Sequence, residues 1–585
     1  MSGATRWIRI IAVALAVIVS VRAADLNTVC DQYYEDYRAL FPVDAAANGD
    51  SDHRYDDVWP DEIGVEHRAQ EAALVQKYLA ELGRLDQSKF SASDRLSYEV
   101  LKWSLDVRSA SLDQPIHLLP VNQFTGAPLL FAQMASGASL HPFRSEQDYR
   151  NFIKRAQGFS RWVDSAIANM RLGVARGIVQ PRVLMARTLP QHEALMVDDA
   201  EKNILFAPLK TLPAGLEPTR AGKLRADYLT AIRSIMIPAY ARLHEFIKTE
   251  YLAHCRETAG IGALPGGKSM YAYWVRYWTT TNRTPEEIHQ LGLSEVSRIR
   301  GEMDKVRESV GFNGSLAEFV TFVTKDPKFA PFTTDEEVLD AYRAIEARIT
   351  PSLPKLFGRL PRTKFEIRAT EKFRVASAAA EYQPASADGT RPGVFYVPIV
   401  DPKLVRTPGM EDLFLHEAIP GHHFQFSITL ERPDLPRFRR FGWSSAYGEG
   451  WALYTESLGK ELGVYTDPYQ YLGTLLAELH RSIRLVVDTG IHAKGWTREQ
   501  ALAYAAEQEG EQPRSVSEIE RYMAAPGQAL SYKIGQLKII ELRTRAEKKL
   551  GAKFDVRAFH DLVLTEGSLP LAVLESNIDR WIAAQ

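Results

Sequence analysis

The chain has 585 residues, of which 45% are hydrophobic and 25% are charged, the composition of an ordinary globular protein that can build a large core. Lysine and arginine number 71 against 73 aspartates and glutamates, and this near-neutral balance excludes the basic surface that nucleic-acid binding requires. The two cysteines, Cys30 and Cys255, exclude a disulfide framework and a cysteine-based zinc site, although one disulfide between them stays open.

The first 23 residues have the three parts of a secretory signal peptide. Arg6 and Arg9 form a short positive region, residues 10–21 form an apolar run, and Ala23 is a small residue suited to cleavage. The run is too short to span a bilayer by itself, and an uncleaved N-terminal anchor is the alternative interpretation. No later stretch reaches the ~20 apolar residues of a membrane helix. We therefore expect an exported protein, periplasmic or secreted, without stable membrane insertion after cleavage.

Most of the remaining chain has the periodicity of amphipathic helices. Apolar residues recur three and four positions apart over Asp94–Arg108, Glu146–Leu172 and Arg220–Tyr251. Thr284 is followed by Pro-Glu-Glu, which predicts a helix start with a capping box. The predicted fold class is therefore mainly α.

No repeat or low-complexity linker marks a domain boundary. We divide the chain into a signal peptide (1–23), a helical N-terminal portion (24–270) and a metal-bearing catalytic portion (271–585). The alternative is one continuous domain over residues 24–585.

The segment Gly262–Ser269 matches the phosphate-binding pattern G-x-x-x-x-G-K-S. That pattern requires a buried strand before the loop, so that backbone N–H groups can surround a phosphate. Residues 253–259 (AHCRETA) do not have the composition of a core strand. We interpret the match as a loop and expect no nucleotide.

One region between the helices favours strands. Lys364–Thr370 alternates apolar and polar residues, and Gly393–Val400 is rich in β-branched and aromatic residues. With a polar stretch between them, we expect a small antiparallel sheet. Pro398 cannot donate a backbone hydrogen bond, so it marks the second strand as a sheet edge or as ending there.

The strongest motif is HEAIPGHHFQ, which begins at His416. A zinc-peptidase helix reads H-E-x-x-H, with two metal-binding histidines one turn apart and a glutamate beside the reacting water. His416 and Glu417 supply the first half, but the residue four positions after His416 is Pro420, which breaks a regular helix. The second ligand then comes late, at His422 or His423, and needs a widened or kinked turn. The alternative is that the histidines cap a broken helix.

The segment GEGWALYTE supplies the expected third ligand. Glu449 and Glu456 are seven residues apart and share one helix face. Because Gly448, Gly450 and Trp451 crowd Glu449, we predict a metal ligand there rather than a solvated surface residue. Glu456 is predicted to orient a ligand histidine.

Further candidates follow after residue 480. Arg484, Asp488 and His492 recur every four residues between apolar neighbours. They are either a buried ion-pair stripe that supports the site, with Asp488 in that role, or Arg484 and His492 contact the substrate or a developing oxyanion. Tyr532 offers a hydroxyl to an oxyanion, or is a hydrogen-bonded core tyrosine.

Over nearly all of the mature chain, the sequence resembles the bacterial "domain of unknown function 885" (DUF885) family. The resemblance rests on HEAIPGHHFQ and GEGWALYTE, supported by PGQALSYKIG and by residues 262–268, 277–293 and 484–492. That family is grouped with zinc metallopeptidases of the H-E-x-x-H superfamily. It implies a mostly helical fold with a small sheet and a deep cleft, similar to thermolysin-like and neurolysin-like enzymes.

The resemblance also implies a set of site residues. Zinc would lie on His416 and His422, with Glu417 catalytic. His423 would then point toward Glu456 or the cleft wall in a supporting role.

Together these residues predict an exported zinc-dependent peptidase that hydrolyses short peptides. Zinc on His416, His422 and Glu449 would activate a water molecule, and Glu417 would take its proton and pass it to the leaving amine.

A peptide substrate would lie along the edge formed by Gly393–Val400, in contact with Val394, Phe395 and Tyr396. Two alternatives stay open. One is a zinc hydrolase of a non-peptide amide, and the other is a periplasmic peptide-binding protein whose metal site is degenerate or structural.

Overall fold

The computed structural model describes residues 25–50, 52–137, 140–372, 375, 378–386, 391–510 and 515–585. The predicted signal peptide, residues 1–23, lies outside the described residues. Over the described ranges the protein is mainly helical with one small sheet, as the sequence predicts. No helix within these ranges is both long and apolar enough to cross a membrane.

The helices that precede the sheet form most of the N-terminal half. In chain order they are α1 (Leu26–Leu40), α2 (Pro42–Ala47), α3 (Val65–Gly83), α4 (Ala92–Leu112), α5 (Ala127–Ala135), α6 (Glu146–Arg176), α7 (Arg182–Met196), α8 (Pro218–Ala231), α9 (Ile237–Thr249), α10 (Gly267–Thr279), α11 (Pro285–Ser309), α12 (Leu316–Lys325), α13 (Asp335–Ile349) and α14 (Leu353–Leu356).

The helices predicted from periodicity are confirmed in this half. Helices α4 and α6 contain the first two predicted segments, and a π-helical turn, Ile232–Met236, joins α8 to α9 into one continuous helix. The capping box at the start of α11 is also confirmed, because the side chain of Thr284 accepts from the backbone N–H of Glu287 and the reverse bond is present.

The helices that follow the sheet carry all the candidate metal ligands. They are α15 (Met410–Glu417), α16 (His422–Leu430), α17 (Arg437–Arg440), α18 (Ser445–Ser457), α19 (Gly459–Leu462), α20 (Pro468–Lys494), α21 (Arg498–Glu509), α22 (Ser515–Ala524), α23 (Ser531–Leu550), α24 (Val556–Leu564) and α25 (Leu571–Ala584). Short 3-10 turns connect the elements at His53–Tyr55, Gln87–Lys89, Pro115–Leu118, Ile204–Lys210, Tyr251–His254, Ile261–Ala263, Pro327–Phe329, Thr350–Ser352, Pro402–Leu404, Gln528–Leu530 and Gly551–Lys553.

The sheet has three strands, β1 (Phe365–Ala369), β2 (Glu381–Gln383) and β3 (Gly393–Val397), in the order β1-β3-β2. Strand β1 pairs with β3 in parallel, whereas β2 pairs with β3 in antiparallel orientation. The expected antiparallel pairing of the two predicted strands was therefore wrong. The short strand β2 reverses the chain between them, so β3 enters the sheet in the direction of β1.

The central position of β3 also overturns the expected substrate edge. Val394, Phe395 and Tyr396 pair with β1 on one side and with β2 on the other. Their backbone groups therefore face neighbouring strands and cannot accept an added peptide strand. Among the described residues, the outer strands of this sheet are β1 and β2.

Three hydrophobic clusters form the core. The largest runs from Leu26 to Ile582 and so takes residues from both ends of the chain. Cys30 lies in this cluster and Cys255 in the second, and both are buried free thiols. The disulfide that the sequence left open is absent between these two residues.

Helices α18 and α23 pack with their backbones in direct contact. A Cβ added at Gly450 would collide with the backbone of Gly535, and one added at Gly535 would collide with the carbonyl of Ala446. Only glycine fits at these two positions. The contact fixes α18, which carries Glu449, against α23.

We expect Gly450→Ala to lower the free energy of unfolding by roughly 1–3 kcal/mol, because the added methyl group overpacks the contact between α18 and α23. The matched control is Gly301→Ala, in the exposed face of α11, where an added Cβ meets nothing within 4 Å. That control should be neutral or stabilising by up to ~1 kcal/mol. Urea unfolding measures both, and equal effects would contradict the role of the close approach.

Candidate metal centre

The chain breaks its helix between the two halves of the HEAIPGHH motif. Helix α15 ends at Glu417, and the next turn is widened, because the N–H of His423 donates to the carbonyl of Ala418 (3.2 Å), five residues earlier. Gly421 permits the tight return, since a Cβ there would collide with the carbonyl of His416. The motif requires such a distortion, because His422 follows His416 by six residues and not by the four of a regular H-E-x-x-H helix.

Helix α18 packs directly against the break. The indole N–H of Trp451 donates to the carbonyl of Pro420 (2.9 Å), and the hydroxyl of Thr455 donates to the carbonyl of Leu415 (2.9 Å). These bonds satisfy backbone oxygens that the interrupted helix leaves without an intrahelical donor. They also set the position of Glu449 relative to the histidines.

His416, His422 and Glu449 come together at this junction. The Oε2 atom of Glu449 lies 3.7 Å from Nε2 of His416 and 3.6 Å from Nε2 of His422, and one ligand atom from each residue lies within 4.8 Å of the others. These separations are too long for hydrogen bonds. They suit ligand atoms that share one ion at about 2.0–2.2 Å. We call these three residues the metal cluster.

The donor set and its surroundings fit a zinc ion. Nδ1 of His416 contacts Oε1 of Glu456 at 2.7 Å, which leaves Nε2 directed toward Glu449. Nδ1 of His422 is buried and has no hydrogen-bond partner among the described residues. Two imidazoles and a carboxylate are a ligand set that zinc takes, and a carboxylate behind a ligand histidine is its usual support.

The charges in the cluster are strongly coupled. Burial would raise the pKa of Glu449, but His416 and His422 hold it well below its ordinary value. Burial would lower the pKa of His416, but Glu449 and Glu456 raise it well above its ordinary value. Burial also raises the pKa of Glu417, and the neighbouring histidines only partly offset this.

His423 points away from the metal cluster. Its Nδ1 accepts from the hydroxyl of Tyr382 (2.9 Å) and lies 3.2 Å from the hydroxyl of Ser427. Burial lowers its pKa to about 4, so the ring is neutral. The expected contact with Glu456 is not formed, because that carboxylate is engaged by His416.

Both ring nitrogens of His492 already form hydrogen bonds within the protein. Its Nδ1 accepts from the N–H of Ile261, and its Nε2 donates to the carbonyl of Tyr522, both at 3.0 Å. The structure therefore favours the supporting role that the sequence offered as the alternative for this residue. His492 lines a cavity of 670 Å³ between residues 181–183, 256–263 and 491–499, and none of the metal cluster lines that cavity.

Arg484 and Asp488 belong to the buried stripe that the sequence offered as the alternative. Arg484 is 5% exposed and donates to the hydroxyl of Tyr522 and to Glu518. Asp488 accepts from the hydroxyl of Tyr271 (2.6 Å) and from the N–H of Gly527 (3.1 Å), and burial raises its pKa to about 7. These bonds fix the turn that leads into α23 and do not reach the metal cluster.

Tyr532 is half-buried at the start of α23. Its ring lies over the guanidinium of Arg484, 5.0 Å from the ring centroid, and its hydroxyl has no hydrogen-bond partner among the described residues. The preceding Ser531 contacts the hydroxyl of Ser445 at 2.8 Å, one turn before Glu449. The start of α23 therefore lies beside the first turn of α18.

Sequence reasoning missed three aromatic residues beside the metal cluster, Tyr382, Phe426 and Trp443. The ring of His422 lies 6.2 Å from that of Phe426 and 6.4 Å from that of Trp443. Phe426 follows His422 by four residues, a helical spacing that could have indicated the contact. Nothing in the sequence singles out Tyr382, which lies in a strand of three residues.

Comparison with known proteins finds a family and several solved structures with a similar fold, among them two candidate lipoproteins. The profile of a family described as "Bacterial protein of unknown function (DUF885)" matches residues 42–578. A candidate lipoprotein from Colwellia psychrerythraea is similar at 28% identity and a TM-score of 0.86, over 96% of this chain and 99% of that chain. A candidate lipoprotein of unknown function from Shewanella oneidensis shares the fold at 19% identity and a TM-score of 0.73, over 95% and 99%. No curated protein matches.

We expect His422→Ala to abolish zinc binding and His423→Ala to retain it, because of these two adjacent histidines only His422 directs a ring nitrogen toward Glu449. Metal analysis after zinc loading and desalting measures this, with melting temperatures as the control for folding. Zinc lost from the His423 variant alone would reverse the assignment.

We expect Glu456→Gln to weaken zinc affinity about 10- to 100-fold, because it removes the charge that orients His416 and makes it a better donor. Competition with a coloured chelator gives the affinity. The control is Glu499→Gln, whose side chain is 74% exposed. An unchanged affinity in the Glu456 variant would exclude the supporting role.

Proposed function

The chain belongs to the DUF885 family of bacterial proteins of unknown function, and we propose that it is an exported, zinc-dependent peptidase that acts on short peptides. The observation that carries the proposal is the metal cluster, with its three ligand atoms within 4.8 Å of one another. The thermolysin-like or neurolysin-like cleft implied by the sequence resemblance is part of the same proposal.

His416, His422 and Glu449 would hold the zinc. Bound there, zinc would supply a Lewis acid that makes water a stronger nucleophile and polarises a carbonyl. Glu417 follows His416 directly at the end of α15 and is 8% exposed. It would take the proton from the attacking water and give it to the leaving amine, acting first as a general base and then as a general acid.

Tyr532 is the remaining candidate for contact with the reacting group. Its unpartnered hydroxyl would donate a hydrogen bond to the carbonyl oxygen as negative charge develops there. Arg484 supports the ring of Tyr532 from one face and is itself tied to Glu518.

The peptide would lie along β2, the outer strand on the side of Glu417. The backbone of Tyr382 in β2 lies close enough to Glu417 to lower the pKa of that carboxyl, so this strand adjoins the proposed general base. An extended substrate can add to such a strand through its backbone. The side chains of the metal cluster are 8–19% exposed, which favours a short extended peptide over a folded protein.

Export is supported by residues 1–23 and by the two similar structures, which are of candidate lipoproteins. In this chain the first cysteine after the apolar run is Cys30, which is buried in α1. We therefore propose release into the periplasm or medium without a lipid on that residue.

The test is turnover of a peptide library by the zinc-loaded mature protein, followed by mass spectrometry. Chelation should abolish cleavage, and zinc should restore it. Glu417→Gln should retain one zinc but lose about 10²- to 10⁴-fold in kcat, whereas Glu449→Ala should lose the metal. Glu499→Gln serves as the surface control. Peptides retained uncleaved, or cleavage that chelation does not affect, would contradict the proposal.

A further inference from the structure

Three aromatic rings form a stack beside the metal cluster. The rings of Trp443 and Phe426 are parallel, with centroids 5.2 Å apart and 6° between their planes. Tyr382 extends the stack on Phe426 at 6.1 Å and 28°. We call these three residues the aromatic stack, and it runs from β2 across α16 to the loop before α18.

Trp443 is the exposed end of this stack. It is 41% exposed, and its indole N–H has no hydrogen-bond partner among the described residues. A buried or packed tryptophan normally uses that donor. The indole is nevertheless held in place, because Phe426 covers one face and the six-membered ring rests on Gly448, where a Cβ would collide with it.

The exposed indole lies at the metal cluster. Its ring centroid is 6.4 Å from that of His422, and Gly448, on which it rests, directly precedes Glu449. One residue of an extended peptide spans ~3.3–3.6 Å. A side chain next to a peptide bond held at the cluster is therefore within reach of the indole.

We propose that Trp443, backed by Phe426, determines specificity by binding a large apolar side chain, preferably aromatic, of the residue next to the scissile bond. This inference rests on the proposed peptidase function. A flat apolar ring gains from offset stacking with an aromatic side chain. Because the indole is already immobilised, little conformational freedom is lost on binding.

The experiment compares peptides that are identical except for phenylalanine, alanine or arginine at each position flanking the scissile bond. We expect the wild type to prefer phenylalanine, and Trp443→Ala to lose about tenfold or more in kcat/KM for that peptide while changing little for alanine. Trp443→Phe should keep most of the preference. Trp581→Ala, which removes an indole from α25, should leave the preference unchanged.

A binding measurement distinguishes failure of this inference from failure of the proposed function. Zinc-loaded Glu417→Gln protein should bind the phenylalanine peptide about tenfold more tightly than the alanine peptide, and Trp443→Ala in that background should abolish the difference. Metal content and melting temperature establish that each variant is folded.

Each outcome decides a different question. If the wild type cleaves peptides but Trp443→Ala keeps the same preference, the specificity role is overturned and the peptidase stands. If the arginine peptide suffers the largest loss, the apolar assignment is overturned. If peptides bind with the Trp443-dependent preference but none is cleaved, the subsite stands and the peptidase function fails.

Discussion

The widened turn between α15 and α16 is the constraint on which the site depends. A regular helix would carry His422 to a different face from His416, because six residues are well over one and a half turns at 3.6 residues per turn. The break resolves this, and it requires glycine at 421, where the backbone passes the carbonyl of His416 without room for a side chain. Trp451 then donates to the exposed carbonyl of Pro420, so the interruption and the position of α18 stabilise each other.

The acidic charge in this region fits the divalent cation that we propose. Glu417, Glu449 and Glu456 converge on two imidazoles, and no lysine or arginine of the described residues forms an ion pair with any of the three. Burying carboxylates without compensation costs several kcal/mol each. The neighbouring buried carboxylate of Glu411, by contrast, is compensated by an ion pair with Arg348 at 2.6 Å. Around the other three, His416 compensates part of the charge, since its pKa is raised, despite burial, by Glu449 and Glu456, and a cation held by the cluster would compensate the rest.

Local signals in the sequence predicted the local structure well. Periodicity and the Thr284 capping box gave helices close to those observed, and a spacing of seven residues placed Glu456 on the face of α18 that contacts His416. The sheet was predicted less well, because strand pairing is non-local and β2 has only three residues. Spacing also could not distinguish a buried stripe from a catalytic one, since the partners of His492 lie 30 and 231 residues away along the chain.

Strand β2 connects the metal cluster with the proposed substrate-binding surface. The backbone of Tyr382 lies close enough to Glu417 to lower the pKa of that carboxyl, its hydroxyl donates to neutral His423, and its ring stacks on Phe426. His423, the histidine that does not join the cluster, thus fixes the tyrosine that lies beside Glu417 and belongs to the aromatic stack. A substrate added to β2 would meet the base and the apolar surface in a fixed register. The two adjacent histidines of HEAIPGHH therefore have different roles. His422 belongs to the metal cluster, and His423 positions the strand that adjoins it.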